Sequence, residues 1–193
     1  KEFVGQTVSS LEHLLSKSGI KVKEFIKYFE SFPKTVVDAV KATFTKKEIS
    51  EIELAIEEAR RASEDDSSDA LESAKTLYGK ARSNLNSLSE ILGEDDIKFK
   101  DLCSSVAGQM RQNSCDFFNH SKECSPRFDP GEKCLALIKD ALSLYSEGNT
   151  GKSLRKDLEF LKSWVDDREE RENVKKMEPI LKRLKSDLES AQL

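Results

Sequence analysis

Two long stretches in which apolar residues return every three or four positions, together spanning 69–120, constrain the fold of this chain most strongly. This period places the apolar side chains on one face of an α-helix, whereas a strand would alternate every second residue. The stretches meet at the short link 92–96, where Gly93 suits a helix C-terminus and Asp95 or Asp96 can cap the next helix. Two helices joined by so short a link are predicted to lie antiparallel as a hairpin.

The rest of the chain shows the same helical period. A second, shorter hairpin is predicted over 131–166, where Asp129 followed by Pro130 is typical of a helix N-terminus. Capping-box spacing from Thr45 to Glu48 predicts another helix beginning there. With only 8 Gly and 4 Pro, the chain has few turns, as long helices require. We therefore predict an all-α fold of seven to nine helices, with antiparallel hairpins stacked into a bundle or a short helical-repeat array.

One segment interrupts the apolar pattern completely. Residues 63–68 contain no apolar side chain and are predicted to form a polar hinge. We expect this hinge to separate an N-terminal helical unit, 1–62, from a C-terminal bundle, 69–193. The C-terminal bundle would then comprise both hairpins and a terminal helix.

The last segment of the chain carries a narrow apolar stripe with steps of 3, 4, 3 and 4 residues, as in a coiled-coil seam. Pro179 lies within it and predicts either a kink or a new helix start. A charged terminal helix with one such stripe either caps the fold, which is the favoured interpretation, or binds a partner helix or a second copy of the chain. The stripe consists of Val174, Met177, Leu181, Leu184 and Leu188.

Composition excludes several function classes. A net charge of −4 argues against a dedicated nucleic-acid surface, which is usually strongly basic. No apolar run approaches the roughly 18 residues of a membrane span. We find no phosphate-binding glycine loop, no catalytic triad and no common zinc spacing, and no base is placed beside Cys115 or Cys124. The sequence thus predicts no catalytic residues, no metal and no cofactor.

Whether the four cysteines form disulfides depends on the cellular compartment of the protein. Cys103 and Cys115 lie too far apart on one predicted helix to pair, whereas Cys124 and Cys134 flank a loop and can form a disulfide with each other, or either can pair with Cys115. Asn119 begins an N-glycosylation sequon, which matters only in a secreted eukaryotic protein. Reduced thiols in a cytoplasmic protein are the favoured interpretation, and a secreted or surface protein with one or two disulfides is the alternative. Because the chain begins at Lys1, an upstream signal peptide or further domain stays open.

Several short motifs occur between Ala70 and Val165: Leu77-Tyr78 with Ala81 and Leu85, Leu92-Gly93-Glu94-Asp95-Asp96, Phe117-Phe118-Asn119, Ala141-Leu142, and Leu158 with Leu161. Together they resemble helical-repeat segments of the tetratricopeptide kind, including those beside J-domains in some chaperone-like proteins. The resemblance implies a protein-binding scaffold. Helical surface antigens of parasites and bacteria look similar, with long charged helices and a disulfide or two.

We therefore expect a non-enzymatic scaffold that binds a partner protein through a helical surface. The alternative is a secreted or surface-displayed helical antigen or adhesin.

Overall fold

The computed structural model describes residues 10–11, 13–15, 17–124 and 128–191, with side chains described as far as residue 185. All regular structure in this part of the chain is helical, which confirms the all-α prediction. The helices with defined bounds are α1 (Val22–Lys27), α2 (Lys34–Asp65), α3 (Ala70–Leu92), α4 (Ile97–Cys124), α5 (Gly131–Leu144), α6 (Gly148–Asp166) and α7 (Arg168–Ala191).

The hairpin of α3 and α4 forms as predicted, and its link explains why. Gly93 adopts a left-handed φ of +91° and donates its N–H to the carbonyl of Ser89 at 3.0 Å, which ends α3. Asp96 Oδ1 then accepts hydrogen bonds from the N–H groups of Lys98 and Phe99, at 2.9 and 3.3 Å. These are donors that the first turn of α4 leaves without helical partners. Glycine and aspartate thus reverse the chain within four residues.

Helices α2 to α6 pack in succession, each against the next, around one continuous apolar core. The core includes residues of α2 as well as those of both hairpins, so burial of apolar surface joins the whole array. Its largest apolar side chains without solvent exposure are Ile52, Leu77, Leu88, Val106, Met110, Ile138 and Leu154.

A buried polar side chain, Asn113 on α4, joins three helices. Its amide nitrogen lies 3.1 Å from the carbonyl oxygen of Ala59 on α2 and 3.3 Å from that of Ala70 on α3. It also donates to Ser73 Oγ at 2.8 Å, and its carbonyl accepts from Gln109 at 2.7 Å. Because every polar atom of this side chain has a partner, burying it costs little and fixes how the three helices meet.

The predicted helix start at Thr45 is wrong, because α2 runs without a break from Lys34 to Asp65. Thr45 is buried, and its hydroxyl donates to the carbonyl of Lys41 at 2.9 Å. A threonine that bonds to the preceding turn can lie inside a helix, so the capping pattern was misleading. Within the hinge predicted at 63–68, Ser63 Oγ donates to Asp116 Oδ2 of α4 at 2.8 Å. The division into two units at this segment stays a prediction.

Candidate interaction surface on the terminal helix

The carboxylate of Asp129, just before α5, fixes where the terminal helix begins. Its Oδ1 accepts from the N–H of Gly131 at 2.9 Å and from Trp164 Nε1 of α6 at 3.0 Å. Its Oδ2 accepts from Arg168 at 2.9 Å and from Arg171 at 3.2 Å, both in the first turn of α7. One side chain therefore ties α5, α6 and α7 together at a single point.

These contacts also change the acidity of Asp129. Partial burial by itself would raise the pKa of this carboxyl group, but the hydrogen bonds from Gly131, Trp164 and Arg168 lower the pKa to about 2. The group is therefore ionised at neutral pH. Two arginines compensate for its charge, which makes the junction an ionic contact rather than an apolar one.

An aromatic cluster lies beneath the first turn of α7. The ring centroids of Phe118 and Trp164 are 5.0 Å apart in an edge-to-face arrangement. The guanidinium of Arg171 stacks 3.8 Å from the centroid of Trp164, and Lys122 Nζ lies 5.0 Å from the same centroid. The first turn of α7 thus contacts the ring of Trp164 as well as the carboxylate of Asp129.

Beyond this base, the apolar stripe of α7 is exposed. Val174, Met177, Leu181 and Leu184 are between 53% and 61% exposed, and no described side chain of α7 is buried. The described part of the stripe does not agree with the favoured prediction that this helix caps the fold, because none of these four side chains is buried against the core. The alternative, partner binding, stays a prediction. Leu188 is in α7, but its side chain lies outside the described residues.

Two further features of α7 bear on the sequence reasoning. The helix continues through Pro179, so no new helix starts there, and the alternative of a kink stays a prediction. Ile180, which falls outside the 3-4 spacing, is 59% exposed and lies beside the stripe. Plotting all residues at about 100° per position would have included it, because an α-helix has 3.6 residues per turn. We call Val174, Met177, Ile180, Leu181 and Leu184 the α7 surface.

The α7 surface continues onto α6. A cleft of about 510 Å³ lies between the two helices, with Phe160, Trp164 and Val174 among its lining residues. Phe160 is itself 53% exposed, although it packs against both Phe118 and Trp164. The exposed apolar area therefore runs from the middle of α7 to an aromatic cleft at its base.

The segment that carries the α7 surface is strongly basic. Residues 174–185 include one acid, Glu178, and five exposed basic side chains. One of the five, Lys182, forms an ion pair with Glu178 at 3.0 Å. The basic residues are Lys175, Lys176, Lys182, Arg183 and Lys185. This segment is thus positive in a chain whose net charge is −4.

The cysteines proposed for a disulfide lie in different environments. Cys134 is fully buried, its Sγ donates to the carbonyl of Ser114 at 3.5 Å, and burial raises its pKa to about 11. Cys124 is exposed at the end of α4, and the expectation that no base lies beside this thiol is wrong, because its Sγ is 3.9 Å from His120 Nδ1. All four cysteines are free thiols in the structure. The pairing of Cys124 with Cys134 stays a prediction, as does glycosylation at Asn119, an exposed residue of α4.

Among the residues that the structure describes, no group of three or more His, Cys, Asp or Glu side chains is arranged to hold a metal ion. None of the helices in this part of the chain combines the length and apolar character that crossing a bilayer requires.

No protein-family model, no curated protein and no solved structure matches this chain. The resemblance to tetratricopeptide segments therefore stays a prediction.

Proposed function

We propose that this chain is a non-enzymatic interaction module that binds another protein through the α7 surface. The observation that supports the proposal is the exposure of five large aliphatic side chains along one face of a helix. Contiguous apolar patches on soluble domains commonly mark sites of association.

The energetics favour this role. Complete burial of one such side chain contributes about 1.5–3 kcal/mol relative to leaving it exposed. Asp129 and Trp164 already hold the base of α7, so the helix needs little further ordering when a partner arrives. Preorganisation of this kind increases affinity because less conformational entropy is lost on binding.

The proposal is tested by substituting the α7 surface and a matched position elsewhere. Leu181 on α7 and Leu54 on α2 are 58% and 59% exposed. A photo-crosslinker placed at Lys185 would capture partners in the native cell, and each captured protein would be purified and titrated by calorimetry. We expect L181K to abolish binding and L54K to leave it unchanged. Equal binding by both variants, or a turnover activity unaffected by either, would contradict the proposal.

The alternative function, a secreted or surface-displayed helical antigen or adhesin, is favoured by one observation. The side chain of Asn119 in the sequon is exposed, although Ser121, the third residue of the sequon, is buried. Thiol titration of protein from its native compartment, under denaturing and non-reducing conditions, separates the two functions. Four free thiols favour an intracellular module, whereas two or none, together with a glycan on Asn119, favour the surface protein.

A further inference from the structure

We infer that the partner segment bound by the α7 surface is an acidic amphipathic helix of another protein. The inference rests on the proposed function and specifies the chemistry of the partner. Three properties of the described residues support it: the spacing of the α7 surface, the charges along its edges and the cleft at its base.

The spacing of the α7 surface fits a helix. Val174, Met177, Leu181 and Leu184 are separated by steps of 3, 4 and 3 residues, the seam by which one helix packs against another. At 3.6 residues per turn, the whole surface falls within an arc of about 120°. An arc of this width and a seam of this period are what a single neighbouring helix covers.

The charges along the edges of the surface fit acidic side chains. By the same helical periodicity, Lys176 and Arg183 border the edge next to Ile180. Lys185 lies on the opposite edge, where Glu178 is compensated by Lys182 at 3.0 Å. Within residues 174–185 both edges are therefore net positive, whereas the first turn of α7 carries Glu169 and Glu170. Carboxylates on the flanks of a bound helix would be attracted to them, and lysines there would be repelled.

The cleft between α6 and α7 gives the partner an anchoring position. Its volume of about 510 Å³ can accept a large apolar side chain against Phe160, Trp164 and Val174. Central pockets that bury one aromatic or aliphatic anchor commonly dominate the affinity of an interface. We therefore place the partner's largest apolar residue beside Val174, at the base of α7.

Two other occupants fit these observations less well. A second copy of the chain packed in parallel would bring the same excess of positive charge to the same edges, and like charges would face each other. An anionic membrane would satisfy the basic residues but does not require a 3-4 seam. Both occupants serve as contrary outcomes of the experiment below.

The test uses a display library of helical peptides about as long as residues 168–191. Seam positions carry Leu, Ile, Phe or Ala, and flanking positions carry Glu or Lys in equal proportion. We expect the intact chain to select peptides enriched in Glu. The best peptide should bind about tenfold more weakly when the salt concentration rises from about 50 mM to about 300 mM, because screening shortens the Debye length.

A charge-reversal variant provides the decisive comparison. K176E combined with R183E should bind the selected peptide at least about tenfold more weakly and should select Lys-enriched peptides from the same library. K139E combined with K156E makes the same change of charge on exposed residues of α5 and α6, and should behave as the intact chain does. Circular dichroism should show that both variants keep their helices.

Several results would overturn the inference. They are equal selection of Glu and Lys, failure to select any peptide, and unchanged binding by K176E/R183E. Binding of phosphatidylserine vesicles, or concentration-dependent dimerisation in sedimentation equilibrium, with loss of either in L181K, would assign the surface to a membrane or to a second copy. If L181K loses its native partner while Glu and Lys peptides are selected equally, the proposed function stands and only the acidic helix is excluded.

Discussion

Helices α6 and α7 follow each other in the chain, and both carry leucines at helical spacing, yet they use them differently. Leu154 and Leu161 of α6 are buried against the core. Leu181 and Leu184 of α7 are more than half exposed. The period of a sequence thus determines which face of a helix is apolar, whereas the neighbouring element determines whether that face is buried.

The difference arises at the junction between the two helices. Helix α6 lies along α5, whose apolar face includes Leu137 and Ile138. Helix α7 instead begins at a polar contact, since Arg168 and Arg171 bind the carboxylate of Asp129. We therefore expect substitutions in α6 to change the free energy of unfolding and substitutions along α7 to change binding alone.

The largest effect on stability should follow from truncating a buried leucine of α6. L154A is expected to lower the free energy of unfolding by about 2–5 kcal/mol, because the variant loses apolar burial and leaves a cavity. Urea denaturation followed by circular dichroism measures the change. A loss below about 1 kcal/mol would mean that the core closes around the cavity and that α6 is less constrained than the structure shows.

The next effect concerns the polar centre of the packed helices. N113A is expected to cost about 1–3 kcal/mol, because the carbonyl of Ala59 loses its side-chain donor and that of Ala70 loses one of two. N119A is the matched control, since Asn119 is exposed on the same helix and should change stability by no more than about 0.5 kcal/mol. Equal losses in the two variants would contradict the role of Asn113 in joining α2, α3 and α4.

A smaller effect is expected at the junction itself. D129N removes the negative charge that binds Arg168 and Arg171 and should cost about 1–2 kcal/mol, less than a fully buried charge because the Asp129 side chain is 26% exposed. Hydrogen exchange should accelerate in the first turns of α7 and stay unchanged in α3 and α4. Uniform acceleration through every helix would show that Asp129 supports the whole fold rather than the placement of α7.

The same residue predicts a dependence on pH. The pKa of Asp129 in the folded chain is about 2, below its ordinary value of 3.8, so the carboxylate stabilises the folded state above pH 3.8. That contribution is lost as the pH falls from about 4 toward 2. Denaturation curves collected across this range should therefore fall less steeply for D129N than for the intact chain. If stability falls equally steeply with pH in D129N and in the intact chain, other carboxylates cause the loss of stability in acid.

The smallest effect on stability should come from truncating an exposed leucine of α7. L181A is expected to change the free energy of unfolding by no more than about 0.5 kcal/mol, although it removes the same atoms as L154A. The same urea titration provides the measurement. A loss comparable to that of L154A would mean that the α7 surface is covered in solution by this chain or by another copy of it.

Local chemistry explains which parts of the fold were predictable. Gly93 and Asp96 act on backbone groups within four residues of themselves, so the hairpin of α3 and α4 could be predicted from its link. Thr45 misled the prediction because one hydroxyl can cap a helix or bond to the preceding turn within it. Only the packing of the completed helix decides between these two uses.

The candidate site depended on contacts that the sequence does not signal. Asp129 accepts the N–H of Gly131, as its position beside Pro130 suggested, and α5 begins at Gly131, where the predicted hairpin begins. Its other partners, Trp164, Arg168 and Arg171, are 35 to 42 positions away in sequence. No local pattern connects residues so far apart, and for this reason the exposure of the α7 surface could not be predicted.

Pro179 has a mechanical consequence for the terminal helix. A proline has no N–H, so one rung of the backbone hydrogen-bond ladder is missing near the middle of α7. By helical periodicity, the pyrrolidine ring lies on the side opposite to Met177 and Leu181. The resistance of the helix to bending is therefore lowest halfway along the surface, and α7 can follow the curvature of whatever lies on it without unwinding a turn.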